Sequence, residues 1–196
     1  PGPGETSPGP EHAWPVGAAS PKLEEVVDAA FTESNPRLFK RTRALVIIED
    51  GRIRAERYAP GFNQDMPLPG WSMTKSVLSA LIGIAVGEGK LALPRKALLS
   101  EWSAPGDPRA NIALEDMLRM RSGLKFSEKY SDLLSDVTQM LFARPDAAVF
   151  GATKPLLYEP GTRWSYASAT TNILSLILRR ALGEKDYPLF PRRALF

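Results

Sequence analysis

The chain has 196 residues, with 25 Lys+Arg against 22 Asp+Glu, a formal net charge of +3, no cysteine and one histidine, His12. Length alone fits about one domain. The missing cysteine excludes disulfide scaffolds, thiolate zinc sites and cysteine nucleophiles. A single histidine in a Pro/Gly-rich stretch leaves no Ser-His-Asp triad and no multi-histidine metal site within these residues. No metal and no cofactor is therefore expected, and any nucleophilic chemistry has to run on another base. With 43% hydrophobic and 24% charged residues the composition is that of a chain able to build a core. Its basic clusters, Lys40-Arg41-Arg43, Arg179-Arg180 and Arg192-Arg193, are short and carry no aromatic-basic stripe, so nucleic acid is not an expected partner. No apolar run reaches the roughly 18 residues of a membrane span. The first residue is Pro1 rather than methionine, so the absence of a signal peptide says nothing about location, and periplasm and cytoplasm both stay open.

Residues 1–21 hold Pro1, Pro3, Pro8, Pro10, Pro15 and Pro21 among glycines, which predicts a disordered tail. Ser20 as N-cap, Pro21 at the first helical position and apolar Leu23, Val26, Val27, Ala30 and Phe31 predict a helix. Two β-prone runs, Arg43 to Glu49 and Arg52 to Tyr58, are joined by Asp50-Gly51, a dipeptide suited to a tight hairpin turn. A Pro-rich loop then leads to a helix from about Met73 to Gly87. Its segment Val77 to Val86 is apolar nearly all round, which predicts burial on most faces, and Gly89 can close it. Beyond it the pattern predicts helices over Leu114 to Met120, Leu133 to Phe142, Asp146 to Ala152 and Asn172 to Leu182. The fold class expected is α+β: a sheet with flanking helices and a helical subdomain. The expected divisions are a tail over 1–21 and one domain portion over 22–196. That portion comprises helix and hairpin over 22–58, a central helix over 72–88 and the helical subdomain over 89–182.

Two segments carry chemistry. Gly70-Trp71-Ser72-Met73-Thr74-Lys75 holds an S-x-x-K element at the mouth of the apolar helix. Ser72 and Lys75, three apart, share a helix face. The first turn offers unpaired N–H groups and a positive dipole end, which favour a developing oxyanion. Desolvation at the root of an apolar helix would lower the lysine pKa until its amine could take a serine proton, making Ser72 an activated nucleophile. A bare S-x-x-K also fits a capping serine followed by a solvated lysine. The second segment, Pro160-Gly-Thr-Arg-Trp-Ser-Tyr166-Ala-Ser168, places Tyr166 and Ser168 one residue apart on what reads as extended backbone, on the same side. A phenol near an ammonium can shuttle protons, and a tyrosine here can equally pack its ring.

Together the two segments resemble the serine β-lactamase and penicillin-recognising hydrolase superfamily, in its class C and esterase-like branch. Ser72-Met-Thr-Lys75 matches S-x-x-K and Tyr166-Ala-Ser168 matches Y-x-N/S. Ile84-Ala-Val-Gly-Glu-Gly-Lys-Leu91, Met117-Leu-Arg-Met-Arg-Ser-Gly-Leu124 and Pro160-Gly-Thr162 extend the resemblance to roughly residues 23–196. It is similar, within that branch, to 6-aminohexanoate-dimer hydrolases and carboxylesterases. The resemblance implies a β-lactamase/transpeptidase-like fold and an acyl-enzyme on Ser72. Lys75 would be the main base, Tyr166 the proton relay, and Tyr130 and Ser168 substrate-binding residues. It implies a small ester, amide or peptide-like substrate, with β-lactamase or D-alanyl-D-alanine carboxypeptidase activity and a non-catalytic binding role as alternatives. Ser131-Asp132-Leu133 and Ser135-Asp136-Val137 lack the asparagine of the S-D-N motif, which favours the tyrosine branch.

The family's third motif, Lys/His-Thr/Ser-Gly on a sheet strand, has no counterpart before Phe196. The sequence therefore reads as the N-terminal portion of a larger domain with its sheet incomplete. Two paired strands alone would leave Leu45 to Ile48 with an unpaired edge, from which self-association is expected.

Overall fold

A computed structural model describes residues 15–35 and 37–196. His12 and most of the expected tail lie outside the described residues. The chain divides into two compact units, one up to Pro69 and the other from Gly70 to Phe196.

The first unit contains helix α1 (Pro21–Phe31) and the strands β1 (Ala44–Glu49) and β2 (Arg52–Tyr58). The Ser20 hydroxyl accepts the Leu23 N–H at 3.2 Å, which satisfies one of the orphan donors of α1, and Pro21 sits where no N–H is needed. Strands β1 and β2 pair antiparallel from Ala44 opposite Tyr58 to Glu49 opposite Arg52, with a register shift between Ile47 and Ile48. Arg57 of β2 pairs with Glu24 and Asp28 of α1, tying helix to hairpin.

Part of the expected tail is ordered. Val16 bridges Ile53 in parallel, the Ile53 N–H donating to the Pro15 carbonyl and the Gly17 N–H to the Ile53 carbonyl, both at 2.9 Å. Proline costs such a ladder only its own donor. Here it supplies a carbonyl, so the segment pairs despite its composition.

On the other edge, Val46 and Ile48 of β1 are each 48% exposed. Paired on one side only among the described residues, this edge is an open template for another strand. We expect concentration-dependent self-association that Val46→Lys suppresses. A sedimentation profile that is monomeric at every concentration for the unsubstituted chain would contradict it.

The second unit is built around α2 (Thr74–Gly87) and α6 (Ser168–Leu182). Leu78, Leu81, Ile82 and Ala85 of α2 form one core with Ile173, Leu174, Ile177 and Leu178 of α6. Trp102, Ile112, Leu114 and Met117 belong to the same core, the last two from α3 (Leu114–Leu118). Trp102 is fully buried, and its indole N–H donates to the Ala152 carbonyl at 2.9 Å, so its one polar atom is satisfied. The Ala152 carbonyl ends α5 (Ala147–Ala152) and also accepts from Arg109. A short helix, α7 (Phe190–Ala194), adds buried Phe190 to this core. No helix among the described residues is long and apolar enough to cross a membrane.

Several boundaries differ from the sequence expectation. Helix α2 buries a stripe rather than most of its faces, because its outer positions Ser79, Ala80, Gly83 and Gly87 are small and remain exposed. Helix α3 ends at Leu118, since Met120 takes the left-handed conformation at φ 54°. Helix α4 (Asp136–Phe142) starts three residues late because Ser135 caps it, leaving Leu133 and Leu134 exposed before it. Helix α6 starts four residues early, at Ser168.

Candidate active site

The approach to α2 is bent. Trp71 sits at φ 44°, a conformation few non-glycine residues adopt, and opens a single 3₁₀ turn over Trp71–Met73 that runs directly into α2. This places Ser72 at the exposed mouth of the helix and Lys75 one turn on, half-buried, over the same face. Lys75 Nζ donates to Ser72 Oγ at 3.0 Å.

The third group arrives from far along the chain. The Ser122-Gly123-Leu124 segment forms a rail: Leu124 bridges Leu156 antiparallel, and the Leu157 and Tyr158 N–H groups donate to the Gly123 carbonyl at 2.8 and 3.1 Å. Further on, Gly161 N–H donates to the Arg121 carbonyl and Ser165 N–H to the Met120 carbonyl, both at 2.8 Å. This zipper brings Tyr166 over α2. Its hydroxyl donates to Ser72 Oγ at 2.8 Å, and Lys75 Nζ lies 4.9 Å from the centre of its ring.

Gly123 is the tight point of the rail. It sits at φ 77°, and a Cβ there would lie 2.1 Å from the Tyr158 carbonyl oxygen. Gly123→Ala should therefore cost about 3 kcal/mol, through strain and a backbone clash that no rotamer relieves. Chemical denaturation measures it, and an unchanged midpoint would show that the rail tolerates displacement.

Ser72 Oγ thus receives two hydrogen bonds, from an amine and a phenol. Burial pushes the Tyr166 phenol up, but the Lys75 ammonium and the hydrogen bond with Ser72 outweigh burial and hold it below the usual tyrosine range. Charge on Glu128 works in the opposite direction on the same phenol. A serine hydroxyl between these partners can lose its proton to one of them once that partner is itself deprotonated, which is the arrangement of an activated nucleophile.

Sequence reasoning passed over Glu128. Its carboxylate accepts the Ser168 N–H at 2.9 Å, the Ser168 hydroxyl, and the Tyr130 hydroxyl at 3.0 Å. Ser168 is therefore the first residue of α6, not an extended one, and it is 8% exposed with both its donors committed to Glu128. Its hydroxyl is bonded to Glu128, while the hydrogen bonds to Ser72 Oγ come from Lys75 and Tyr166. Tyr130 is exposed, and burial of its hydroxyl end raises its phenol above the usual range, with Glu128 adding to the rise and Ser168 opposing it. Glu128 stands inside Phe126-Ser-Glu-Lys-Tyr130, but nothing local signals a carboxylate whose partners begin α6.

A cleft of about 580 Å³ lined by Lys96, Asn111, Asp116 and Glu159 includes none of Ser72, Lys75 and Tyr166. Among the described residues no three His, Cys, Asp or Glu side chains converge as metal ligands would.

The helices of the second unit and the small two-stranded sheet of the first make a mixed α+β fold of the β-lactamase-like class. The sequence matches the Beta-lactamase family over residues 37–196, and the chain belongs to that family. Two Mycobacterium tuberculosis proteins, Protein Rv1367c of strain H37Rv and Uncharacterized protein MT1414 of strain CDC 1551, are each 30% identical over 192 residues. Each match takes in 88% of this chain and 47% of the relative, so the chain spans about half the length of these relatives. The fold is similar to that of a Bacillus anthracis protein named as a candidate 6-aminohexanoate-dimer hydrolase, with TM-score 0.69, 18% identity, and coverage of 93% of this chain and 52% of that one. It is also similar to a candidate β-lactamase from Bacteroides dorei, with TM-score 0.58, 23% identity, and coverage of 76% and 43%. At those identities the likeness is one of fold.

Proposed function

We propose that the protein is a serine hydrolase that cleaves a small ester or amide through an acyl-enzyme on Ser72. The observation that carries this reading is the convergence of Lys75 Nζ and the Tyr166 hydroxyl on one serine oxygen, at 3.0 and 2.8 Å. Ser72 Oγ attacks the carbonyl carbon as its proton passes to the Lys75–Tyr166 pair. The oxyanion gathers on the former carbonyl oxygen, where the Ser72 N–H would donate one hydrogen bond, worth about 3 kcal/mol by comparison with single-donor deletions. When the intermediate collapses, the bond to the leaving group breaks and Tyr166 returns the proton to that group. Water, activated by the same pair, then cleaves the acyl-serine ester. Tyr130, exposed and hydrogen-bonded to Glu128, would contribute to substrate binding.

A β-lactamase or D-alanyl-D-alanine carboxypeptidase is the second reading, favoured by membership of the family itself. Turnover of a p-nitrophenyl ester against nitrocefin separates the two in the full-length protein. Hydrolysis of neither, together with no labelling by a fluorophosphonate, would contradict both and leave a binding role.

A further inference from the structure

Helix α6 begins without a capping side chain of its own: its N-cap is Ala167, which has none to offer. Such helix ends leave orphan N–H groups that need acceptors. Here the acceptor comes from forty residues upstream, where Glu128 takes the Ser168 N–H and hydroxyl and also the Tyr130 hydroxyl. The segment that carries Glu128 is itself pinned. Ser127 N–H donates to Asp136 Oδ2 at 2.8 Å, Val137 N–H donates to the Ser127 carbonyl at 3.0 Å, and Asp136 is ion-paired with Lys154. Tyr166 therefore hangs between two anchors: the Ser165 N–H on the Met120 carbonyl before it, and Ser168 on Glu128 after it.

We propose that Glu128 is a positioning residue for Tyr166, holding the start of α6 so that the Tyr166 hydroxyl meets Ser72 Oγ. This role rests on the hydrolase reading above. Its contribution is placement rather than charge: a negative charge here pushes the Tyr166 phenol up, against Lys75, and so lowers the fraction present as phenolate. A displacement of the order of 1 Å in such a group costs about 10²-fold in rate.

The test uses the full-length protein with Glu128→Ala and Glu128→Gln, each alone and combined with Tyr166→Phe. Ester hydrolysis and backbone hydrogen exchange over residues 165–169 are the readouts. Glu128→Ala should lower kcat by about 10- to 100-fold with KM changed much less, the pattern of an interaction felt mainly in the transition state. The Ser168 amide should exchange faster. Glu128→Gln, which keeps one oxygen for the Ser168 N–H, should recover most of the rate, and it keeps the test open if the alanine variant folds poorly. In the Tyr166→Phe background Glu128→Ala should cost nothing further, because both changes remove the same contribution.

A full additional loss in that background, wild-type kcat in Glu128→Ala, or unchanged exchange at Ser168 would each overturn the role. If Ser72→Ala and Tyr166→Phe both leave the rate intact, the hydrolase reading fails and the role with it. If both lower the rate and Glu128→Ala adds to the Tyr166→Phe loss in full, only the role fails.

Discussion

Ser72→Ala should lower ester hydrolysis by at least about 10³-fold, the scale seen when a serine nucleophile is removed and only binding and oxyanion contacts remain. The reason lies in the geometry of one oxygen. Lys75 Nζ and the Tyr166 hydroxyl both point at Ser72 Oγ, and alanine leaves the pair with nothing to deprotonate. The loss should fall on kcat, because the hydroxyl is exposed and a methyl in its place disturbs no packing. Melting temperature should be unchanged, since Ser72 contributes nothing to the core of the second unit. Steady-state kinetics with a p-nitrophenyl ester, beside a thermal melt, checks both. Retained rate at unchanged stability would remove Ser72 from the chemistry.

Lys75→Met should have the second largest effect, about 10²- to 10⁴-fold on kcat, the range of a lost general acid–base contribution. It should also alter Tyr166 in a defined direction. Burial and the Glu128 charge raise the phenol, while Lys75 and Ser72 lower it. Removing Lys75 therefore moves the Tyr166 titration upward. On the proposed mechanism a Tyr166 phenolate can accept the serine proton, so in the unsubstituted protein rate should rise with pH through a limb below about pH 10, the ordinary tyrosine value. In Lys75→Met that limb should shift to higher pH and whatever rate remains should be smaller. Ultraviolet difference titration against Tyr166→Phe measures the phenol directly, and a Tyr166 titration that stays put or falls would show that Lys75 does not govern it.

What the sequence makes legible here follows from range. The Ser72–Lys75 pairing is visible because three residues on a helical turn always share a face, and the hairpin because Asp50-Gly51 sets its own turn. Tyr166 meets Ser72 across 94 positions, and no spacing argument reaches that far; it entered through resemblance to a family. Glu128 escaped because its partners lie at the start of a helix forty residues on. The same contact explains why α6 extends further back than its pattern suggests: Ser168, Thr170 and Thr171 are weak helix formers with no local cap, and a distant carboxylate supplies what they lack. The bridge at Val16 was hidden by composition, since proline density reads as disorder even where a proline carbonyl serves as an acceptor.

On the proposed mechanism Ser72 carries the acyl group. Mass spectrometry of the full-length protein after reaction with a fluorophosphonate locates the bond directly. One adduct is expected, on the peptide containing Ser72, absent in Ser72→Ala and slowed in Lys75→Met. An adduct on any other residue, or labelling that survives Ser72→Ala unchanged, would contradict it.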